Sequence, residues 1–420
     1  MDRLRGARGP VLLYLLTGFA NVLAFGYQFV MPRFLRPGEF AILTQLFGIL
    51  LVESIGTQVI QTAMAKLAAQ YRARDDDAAL HVFVRRWLVR IVTFGAPPAL
   101  LLALFAGPLS QAIRVSTASV VLLGITLFLA IVLTFTMGLL QGLGRFVWLG
   151  GDLVAQAGAR LALGTGLVLA GAGVDGAFAG ASAALLVGLL ISLIPLRPLF
   201  KSARAATPAA HLARDETRFF LLAALVLLAY AGLTNVDAVM ARALMSADDA
   251  GNYSAAITMA KVILFAPVAV GYLVLERTAR AHERGHDTDR PLLIALGFVL
   301  ATSGAVALAY IIRPGLFAAI IVGPQYPRAA EVIPVYGLAA LCNALLSIWN
   351  AYFIGRGRMR IGLLLGLALI VEVALLSTYA HDALTATLVV TGVAFATQLC
   401  AVATFAIDRP ARRPTIPLRA

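Results

Sequence analysis

The sequence is short of charged residues and of cysteine. Only 13% of its 420 residues are charged, about half of the ~25% typical of soluble proteins, so a set of soluble domains is excluded. The two cysteines, Cys342 and Cys400, both fall inside apolar stretches. Cysteines in such surroundings give no indication of a disulfide framework.

Motifs for nucleotide-driven chemistry and for metal binding are also missing. None of the three lysines follows a glycine, so there is no phosphate-binding loop and we expect no use of ATP. The five histidines lie in loops or at the ends of apolar stretches, which predicts no metal site within the membrane. A membrane-bound transferase would need a large outward loop with acids or bases, and the longest such loop, 313–330, has no carboxylate. We therefore expect no cofactor and no enzymatic activity.

Long apolar stretches are abundant instead. Hydrophobic residues make up 60% of the chain, and the mean hydropathy is +0.88. About 20 apolar residues cross a bilayer as a helix, and unpaired backbone groups are not tolerated in hydrocarbon. We therefore predict an all-α polytopic membrane protein with about twelve transmembrane helices. The predicted spans are 11–31, 40–64, 87–107, 117–140, 147–170, 175–196, 219–242, 251–274, 291–312, 331–354, 361–380 and 383–406.

The positive charges are unevenly distributed among the segments that join these spans. The termini and every second loop hold twenty-six Lys and Arg residues, the alternate loops hold six, and two lie within spans. Because basic loops stay on the cytoplasmic side, we predict a multi-pass protein of the plasma (inner) membrane with both termini cytoplasmic. Since the basic residues sit in short segments between apolar stretches, the net charge of +13 does not indicate a nucleic-acid partner.

The two halves of the chain resemble each other. Three sets of residues recur at offsets of 209 to 213 residues, and each joins a span to the sixth span after it. An even number of spans per unit makes the repeats parallel, which predicts two six-helix lobes, 1–197 and 218–408, with a basic linker, 198–217, and a basic tail, 409–420. The matching residues are Met31, Arg33 and Leu35 with Met240, Arg242 and Leu244; Lys66 and Asp76 with Arg277 and Asp287; and 142–145 with 355–358.

Two basic residues lie within spans, where charged side chains are costly and usually face a bundle interior or a watery cavity. Arg160 in span 5 shares one helix face with Asp152 and Gln156, and Lys261 lies in span 8 of the opposite half. We predict that Arg160 and Lys261 occupy opposite walls of one central cavity. Polar residues also follow helical spacing in span 10, where they could bind a ligand or form interhelical hydrogen bonds; they are Asn343, Ser347 and Asn350.

Carboxylates within spans are candidates for ion coupling. These are Asp237 in span 7, Glu53 in span 2 and Glu372 in span 11, and Asn235 could add a neutral oxygen ligand beside Asp237. Asp237 could alternatively be a solvated cap at the outer face.

Structural ion pairs are the alternative for the charged residues within spans. Arg160 could pair with Glu372 or Glu53, and Lys261 with Asp237. Buried pairs of this kind often serve only to fix the packing of helices.

Short stretches at the ends of spans are similar to segments of a known family. They are 33–43 (RFLRPGEFAIL), 138–146 (GLLQGLGRF), 234–237 (TNVD), 249–253 (DAGNY) and 322–330 (VGPQYPRAA). With these stretches the chain resembles the polysaccharide export, or lipid-linked oligosaccharide, flippases of the multidrug/oligosaccharidyl-lipid/polysaccharide exporter superfamily. The likeness runs through the whole chain.

The resemblance implies two six-helix lobes in a V and alternating access. It implies a flippase that moves a polyprenyl-pyrophosphate-linked oligosaccharide across the plasma membrane for the biosynthesis of surface polysaccharide such as lipopolysaccharide. In that case Arg160 and Lys261, with Gln156 and Asn343, would bind the pyrophosphate head group. Membrane lipids and polysaccharide assembly proteins would be partners. The alternative is an ion-coupled multidrug or metabolite antiporter of the same superfamily, for which we would expect a cavity rich in carboxylates and aromatic residues.

Overall fold

The structure is a computed structural model, which describes residues 2–73, 77–201, 214–264 and 289–408 together with five single residues between 267 and 278. Throughout this part of the chain the regular secondary structure is helical. The helices are α1 (Asp2–Phe34), α2 (Pro37–Ala73), α3 (Asp77–Leu104), α4 (Ala106–Ile113), α5 (Thr117–Gly142), α6 (Phe146–Leu167), α7 (Gly173–Lys201), α8 (Arg214–Leu233), α9 (Val236–Leu244), α10 (Ala247–Ala260), α11 (Asp289–Ile312), α12 (Pro314–Ile321), α13 (Ala329–Gly355), α14 (Ile361–Tyr379) and α15 (Ala383–Asp408).

The prediction of an all-α polytopic membrane protein is confirmed. Ten stretches of the described chain are long and apolar enough to cross a membrane. One of them, Phe146–Phe200, is a hairpin of α6 and α7 and contains two of the predicted spans. The eighth span, 251–274, begins as α10, and half of the residues from 263 to 274 lie outside the described part of the chain. So do residues 202–213 of the predicted linker and the predicted tail, 409–420.

The α6–α7 hairpin depends on glycine. Between the two helices the backbone has positive φ at Gly171 (91°) and Gly173 (53°), a conformation that glycine adopts without steric cost. Further along, a Cβ atom at Gly180 would lie 2.3 Å from the backbone nitrogen of Gly164. The two helices therefore touch through their backbones, as small residues allow in membranes.

Two predicted spans are not continuous helices. Span 7 breaks between Leu233 and Val236, and span 8 stops being α-helical after Ala260. A break at membrane depth is tolerated only where its backbone groups are bonded inside the protein. Here the hydroxyl groups of Ser303 and Tyr310 on α11 donate to backbone carbonyls at 263 and 259, at 2.7 and 2.9 Å. The sequence analysis predicted both spans and did not locate these breaks, because local hydropathy does not register such bonds.

Two turns at corresponding positions of the predicted repeat have the same backbone geometry. The turn after α5 has Gly144 at a φ of 69°, and the turn after α13 has Gly357 at the same φ of 69°. In each turn the following arginine, Arg145 or Arg358, donates its backbone N–H to a carbonyl five residues earlier, at 2.8 Å. The architecture is two lobes of parallel repeats, α1–α7 and α8–α15, as predicted. The exact domain boundaries stay predictions.

The orientation in the membrane gives a first test. We expect reporters fused after Arg145, Ala205 and Gly285 to be cytoplasmic, because these positions lie in the basic loops. A reporter fused after Gln325, in a predicted outer loop, is the control and should be on the other side. An external reporter at any of the first three positions would contradict the twelve-span topology.

Candidate functional site

A cavity of about 470 Å³ lies between the lobes at the middle of the spans. The first lobe contributes residues of α1, α2, α5, α6 and α7, and the second lobe contributes the end of α10. Most of the lining is apolar. The polar and charged lining residues are Asn21, Gln28, Thr126, Gln156, Arg160, Thr258 and Lys261.

Arg160 reaches this cavity from α6, at a partly buried position. Its guanidinium carbon lies 5.3 Å from the ring centre of Tyr27 and 5.7 Å from that of Phe47. Cation–π contacts of this kind contribute about 0.5–2 kcal/mol. No ion pair of Arg160 occurs among the described residues, and its Nε has no hydrogen-bond partner. The alternative considered above, an ion pair of Arg160 with Glu372 or Glu53, is therefore not formed in the described part of the chain.

Lys261 reaches the same cavity from the opposite lobe. It stands immediately after α10, which ends at Ala260. The carbonyl groups at the end of a helix carry a partial negative charge that favours a cation there. Lys261 thus begins the break in span 8, and no carboxylate partner is found for it in the described residues.

Gln156 also lines the cavity, one helical turn before Arg160 in α6. Its amide nitrogen donates to Oδ2 of the buried Asp152 at 2.9 Å. Gly188 on α7 leaves room for this side chain, since a Cβ atom there would lie 2.6 Å from Cγ of Gln156. The sequence analysis missed Asn21 and Gln28 of α1, although their spacing of seven residues places both on one helix face.

Asn343 lies elsewhere. It is absent from the lining of the cavity and is buried within the second lobe, where the Tyr230 hydroxyl donates to its backbone carbonyl at 2.9 Å. Of the four predicted head-group residues, the structure brings together Arg160, Lys261 and Gln156. Their binding role remains a prediction.

A buried carboxylate cluster occupies the second lobe. Asp237 is only 3% exposed, so it is not a solvated cap, and its Oδ2 accepts hydrogen bonds of 2.7 Å from the hydroxyls of Tyr253 and Tyr336. Glu372 on α14, 1% exposed, interacts electrostatically with Asp237 and with both tyrosines. Each carboxylate keeps one oxygen without a hydrogen-bond partner, Oδ1 of Asp237 and Oε1 of Glu372. We call these four residues the carboxylate cluster.

The break in span 7 places Asp237 in the first turn of α9, where the helix N-terminus favours negative charge. Asn235 stabilises the break, because its amide nitrogen donates to the carbonyl of Ala231 at 2.9 Å and to the hydroxyl of Thr234 at 3.1 Å. Glu53 on α2 is partly buried and lines neither the cavity nor the cluster. Of the predicted coupling residues, the structure thus joins Asp237 and Glu372.

The two lobes touch where α1 ends and α2 begins, because this segment meets α10 and the loop before α13. Arg33 donates to the carbonyl of Ile321 at 2.9 Å, and the Tyr326 hydroxyl donates to the carbonyl of Pro32 at 3.0 Å. A Cβ atom at Gly251 on α10 would lie 2.4 Å from Cβ of Pro37. We call this contact the interlobe clasp. It closes the predicted outer end of the cleft between the lobes.

The interlobe clasp gives a second test. Gly251→Val should push α10 away from Pro37, because no space exists for a side chain there. Contact is measured by a disulfide cross-link between two introduced cysteines, Pro32→Cys and Gln325→Cys, in a background free of other cysteines. We expect the cross-link to form readily when residue 251 is glycine and several-fold less in the Gly251→Val variant. Gly56→Val is the matched control, since Gly56 has nothing within 4 Å of its Cβ position. Equal cross-linking in both variants would contradict the closure.

Comparisons with known proteins find the same fold among solved structures, although none of them finds a match by sequence. No protein-family model matches the sequence, and no curated protein matches it by sequence. Among solved structures, a multidrug resistance MATE family transporter of the MOP superfamily in an inward-facing conformation matches with a TM-score of 0.71 and 13% identity, over 93% of this chain and 95% of that one. The lipid II flippase MurJ in an inward closed conformation matches with a TM-score of 0.67 and 11% identity, over 94% and 87%. The chain has the fold of the MOP-superfamily transporters.

A second conformation of a MATE family transporter also matches this chain. An outward-facing structure of a MATE family transporter of the MOP superfamily gives a TM-score of 0.61 at 13% identity, over 96% of both chains, below the 0.71 of the inward-facing one. The predicted V of two lobes in a multi-pass membrane protein is confirmed at the level of the fold. The side of the membrane on which the termini lie remains a prediction.

Proposed function

We propose that this protein is a flippase that moves a polyprenyl-pyrophosphate-linked oligosaccharide across the plasma membrane by alternating access, for the synthesis of surface polysaccharide. The observation that carries the proposal is the charge of the cavity. Among the described residues that line it, the charged ones are Arg160 and Lys261, both cationic, and none is a carboxylate. A cavity of this kind favours an anionic substrate.

The size of the electrostatic effect separates this proposal from a cation antiporter. Two unit charges 4 Å apart interact by about 4 kcal/mol at the effective dielectric constant of a partly hydrated site. A phosphate oxygen near Arg160 would gain on this scale, and a cationic drug would lose as much. The arginine fork also matches phosphate geometry with two parallel hydrogen bonds.

The other polar groups of the cavity fit the sugar part of such a substrate. Asn21, Gln28 and Gln156 present amide groups, which both donate and accept hydrogen bonds. Sugar hydroxyl groups need both kinds of partner. The lipid tail stays in hydrocarbon throughout, so only the head group has to enter the cavity.

Energy for the cycle would come from an ion gradient through the carboxylate cluster, from the membrane potential or from downhill use of the product. The cluster lies in the second lobe, apart from the cavity lining. This separation supports a division of roles, in which substrate binds between the lobes and a proton or cation binds within one lobe. The buried carboxyl oxygens without partners supply the ligands for it.

Reconstituted vesicles test the function. A fluorescent polyprenyl-pyrophosphate oligosaccharide is placed in one leaflet, and a membrane-impermeant quencher is added on the other side. We expect the purified protein to move the lipid to the quencher side, so that its fluorescence is lost. Soluble inorganic pyrophosphate should compete, and ethidium, an organic cation, should neither compete nor be transported. Uptake of ethidium without movement of the lipid would overturn the proposal in favour of the multidrug antiporter.

A further inference from the structure

A polar stripe runs along α13. Tyr336, Asn343, Ser347 and Asn350 follow one another at intervals of seven, four and three residues, which places all four on one face of the helix. Over these fourteen residues the helix rises about 21 Å, most of the hydrocarbon thickness of a bilayer. The stripe does not line the interlobe cavity.

One end of the stripe is joined to the carboxylate cluster. The hydroxyl of Tyr336 donates to Oδ2 of Asp237 at 2.7 Å. The other end stops at Asn350, about 7.5 Å by helix rise before Gly355, the last residue of α13. The loop that follows α13 is basic and is predicted to be cytoplasmic.

The stripe contains buried amide atoms that have no partner in the described protein. Asn343 is 7% exposed and Asn350 is 2% exposed. Oδ1 of Asn343 and both amide atoms of Asn350 make no hydrogen bond. A buried polar group without a hydrogen bond is unfavourable, so three such atoms on one stripe need another source of hydrogen bonds.

Packing between helices does not supply these bonds. The Tyr230 hydroxyl of α8 faces the stripe, and it donates to the backbone carbonyl of Asn343, at 2.9 Å, and not to the amide side chain. Ser347 donates to the carbonyl of Ala344 within the same helix, at 2.7 Å. Hydrogen bonding between helices therefore explains the contact of Tyr230 with the stripe, but it does not explain why two amide side chains are buried there.

We infer that the stripe is a water path that connects the carboxylate cluster with the predicted cytoplasmic face. Buried water typically makes two to four hydrogen bonds with otherwise unsatisfied polar groups, and the amides of Asn343 and Asn350 offer such groups at intervals along the path. Through it the cluster can exchange a proton or a small cation with one side of the membrane, separately from the substrate cavity. The use of the path for coupling rests on the proposed function, whereas its hydration does not.

Cysteine accessibility tests the path without any transport substrate. In a background with Cys342→Ala and Cys400→Ala, the variants Ser347→Cys, Asn343→Cys and Asn350→Cys are treated in membrane vesicles with a small methanethiosulfonate cation, added from one side at a time. Only the thiolate reacts, and it forms where water is present. We expect modification at least roughly tenfold faster than at apolar control positions, and faster from the predicted cytoplasmic side.

The controls are Leu346→Cys and Ile348→Cys, two positions on α13 at the same depth that are fully buried. Ser347→Cys changes a single atom, so it keeps the test valid if either asparagine variant fails to fold. The inference would be overturned if the cysteines at 343, 347 and 350 were modified no faster than those at the control positions. A faster reaction from the opposite side would overturn it as well. A failure of lipid transport would leave these rates unchanged and would count against the proposed function alone.

Discussion

Replacement of Arg160 is expected to slow substrate movement at least about tenfold, while the protein still folds and inserts. Arg160→Lys keeps the charge and loses the planar fork that bonds phosphate in two places. Hydrogen bonds to charged groups are worth about 1.5–3 kcal/mol, so we expect transport by the Arg160→Lys variant to fall roughly 10- to 150-fold. Arg160→Gln and Lys261→Gln should each fall at least as far. Initial rates in reconstituted vesicles measure this.

Arg90 supplies the matched control for this prediction. Its guanidinium carbon lies 5.3 Å from the ring of Trp87, the same distance that separates Arg160 from the ring of Tyr27, but Arg90 is exposed and lies outside the cavity lining. Arg90→Gln should therefore leave transport within about twofold of the parent, since surface substitutions usually have small effects. Normal transport by both Arg160→Gln and Lys261→Gln would refute the head-group site.

Replacement of Asp237 is expected to uncouple transport from its driving ion. Asp237→Asn retains an oxygen that can accept the hydrogen bonds of Tyr253 and Tyr336, and it removes the negative charge. Coupling free energies between sites are typically about 1–3 kcal/mol, which corresponds to a 5- to 150-fold effect. We expect the stimulation of transport by a proton or sodium gradient to be lost, with Glu372→Gln giving the same defect. Transport rates with and without each gradient measure it.

Asp175 is the control for this variant. It also accepts two hydroxyl hydrogen bonds, from Ser116 at 2.6 Å and Ser119 at 2.5 Å, and it lies in the first lobe, at the start of α7. Asp175→Asn should keep its dependence on the gradient. Should Asp237→Asn respond to protons and to sodium like the parent, the ion-coupling role of the cluster would be wrong.

The interlobe clasp explains where the family-like stretches of the sequence meet. Three of them, 33–43, 249–253 and 322–330, are far apart in the chain and come together at this contact, through Arg33, Gly251 and Tyr326. Because Gly251 has no side chain, Pro37 can approach α10 closely. In the proposed cycle of alternating access, this contact would form and release.

The sequence alone determined the features that depend on composition and periodicity. Apolar stretches long enough to span a bilayer force helices, because backbone groups in hydrocarbon must be bonded within the segment. The near-constant offsets between halves indicated a parallel repeat, and the two glycine turns at Gly144 and Gly357, which share a φ of 69°, agree with it. The cost of a buried cation singled out Arg160 and Lys261, and both line one cavity.

The tertiary structure alone decided which polar side chains meet. Hydropathy gave no sign of the breaks at Asn235 and Lys261. Hydrogen bonds from α11 stabilise the break at Lys261, and local side chains stabilise the one at Asn235. Sequence spacing put Asn343 on a polar face, and packing turned that face into the second lobe, away from the cavity. A helical period fixes which residues share a face, whereas the direction of that face depends on the packing of helices far apart in the chain.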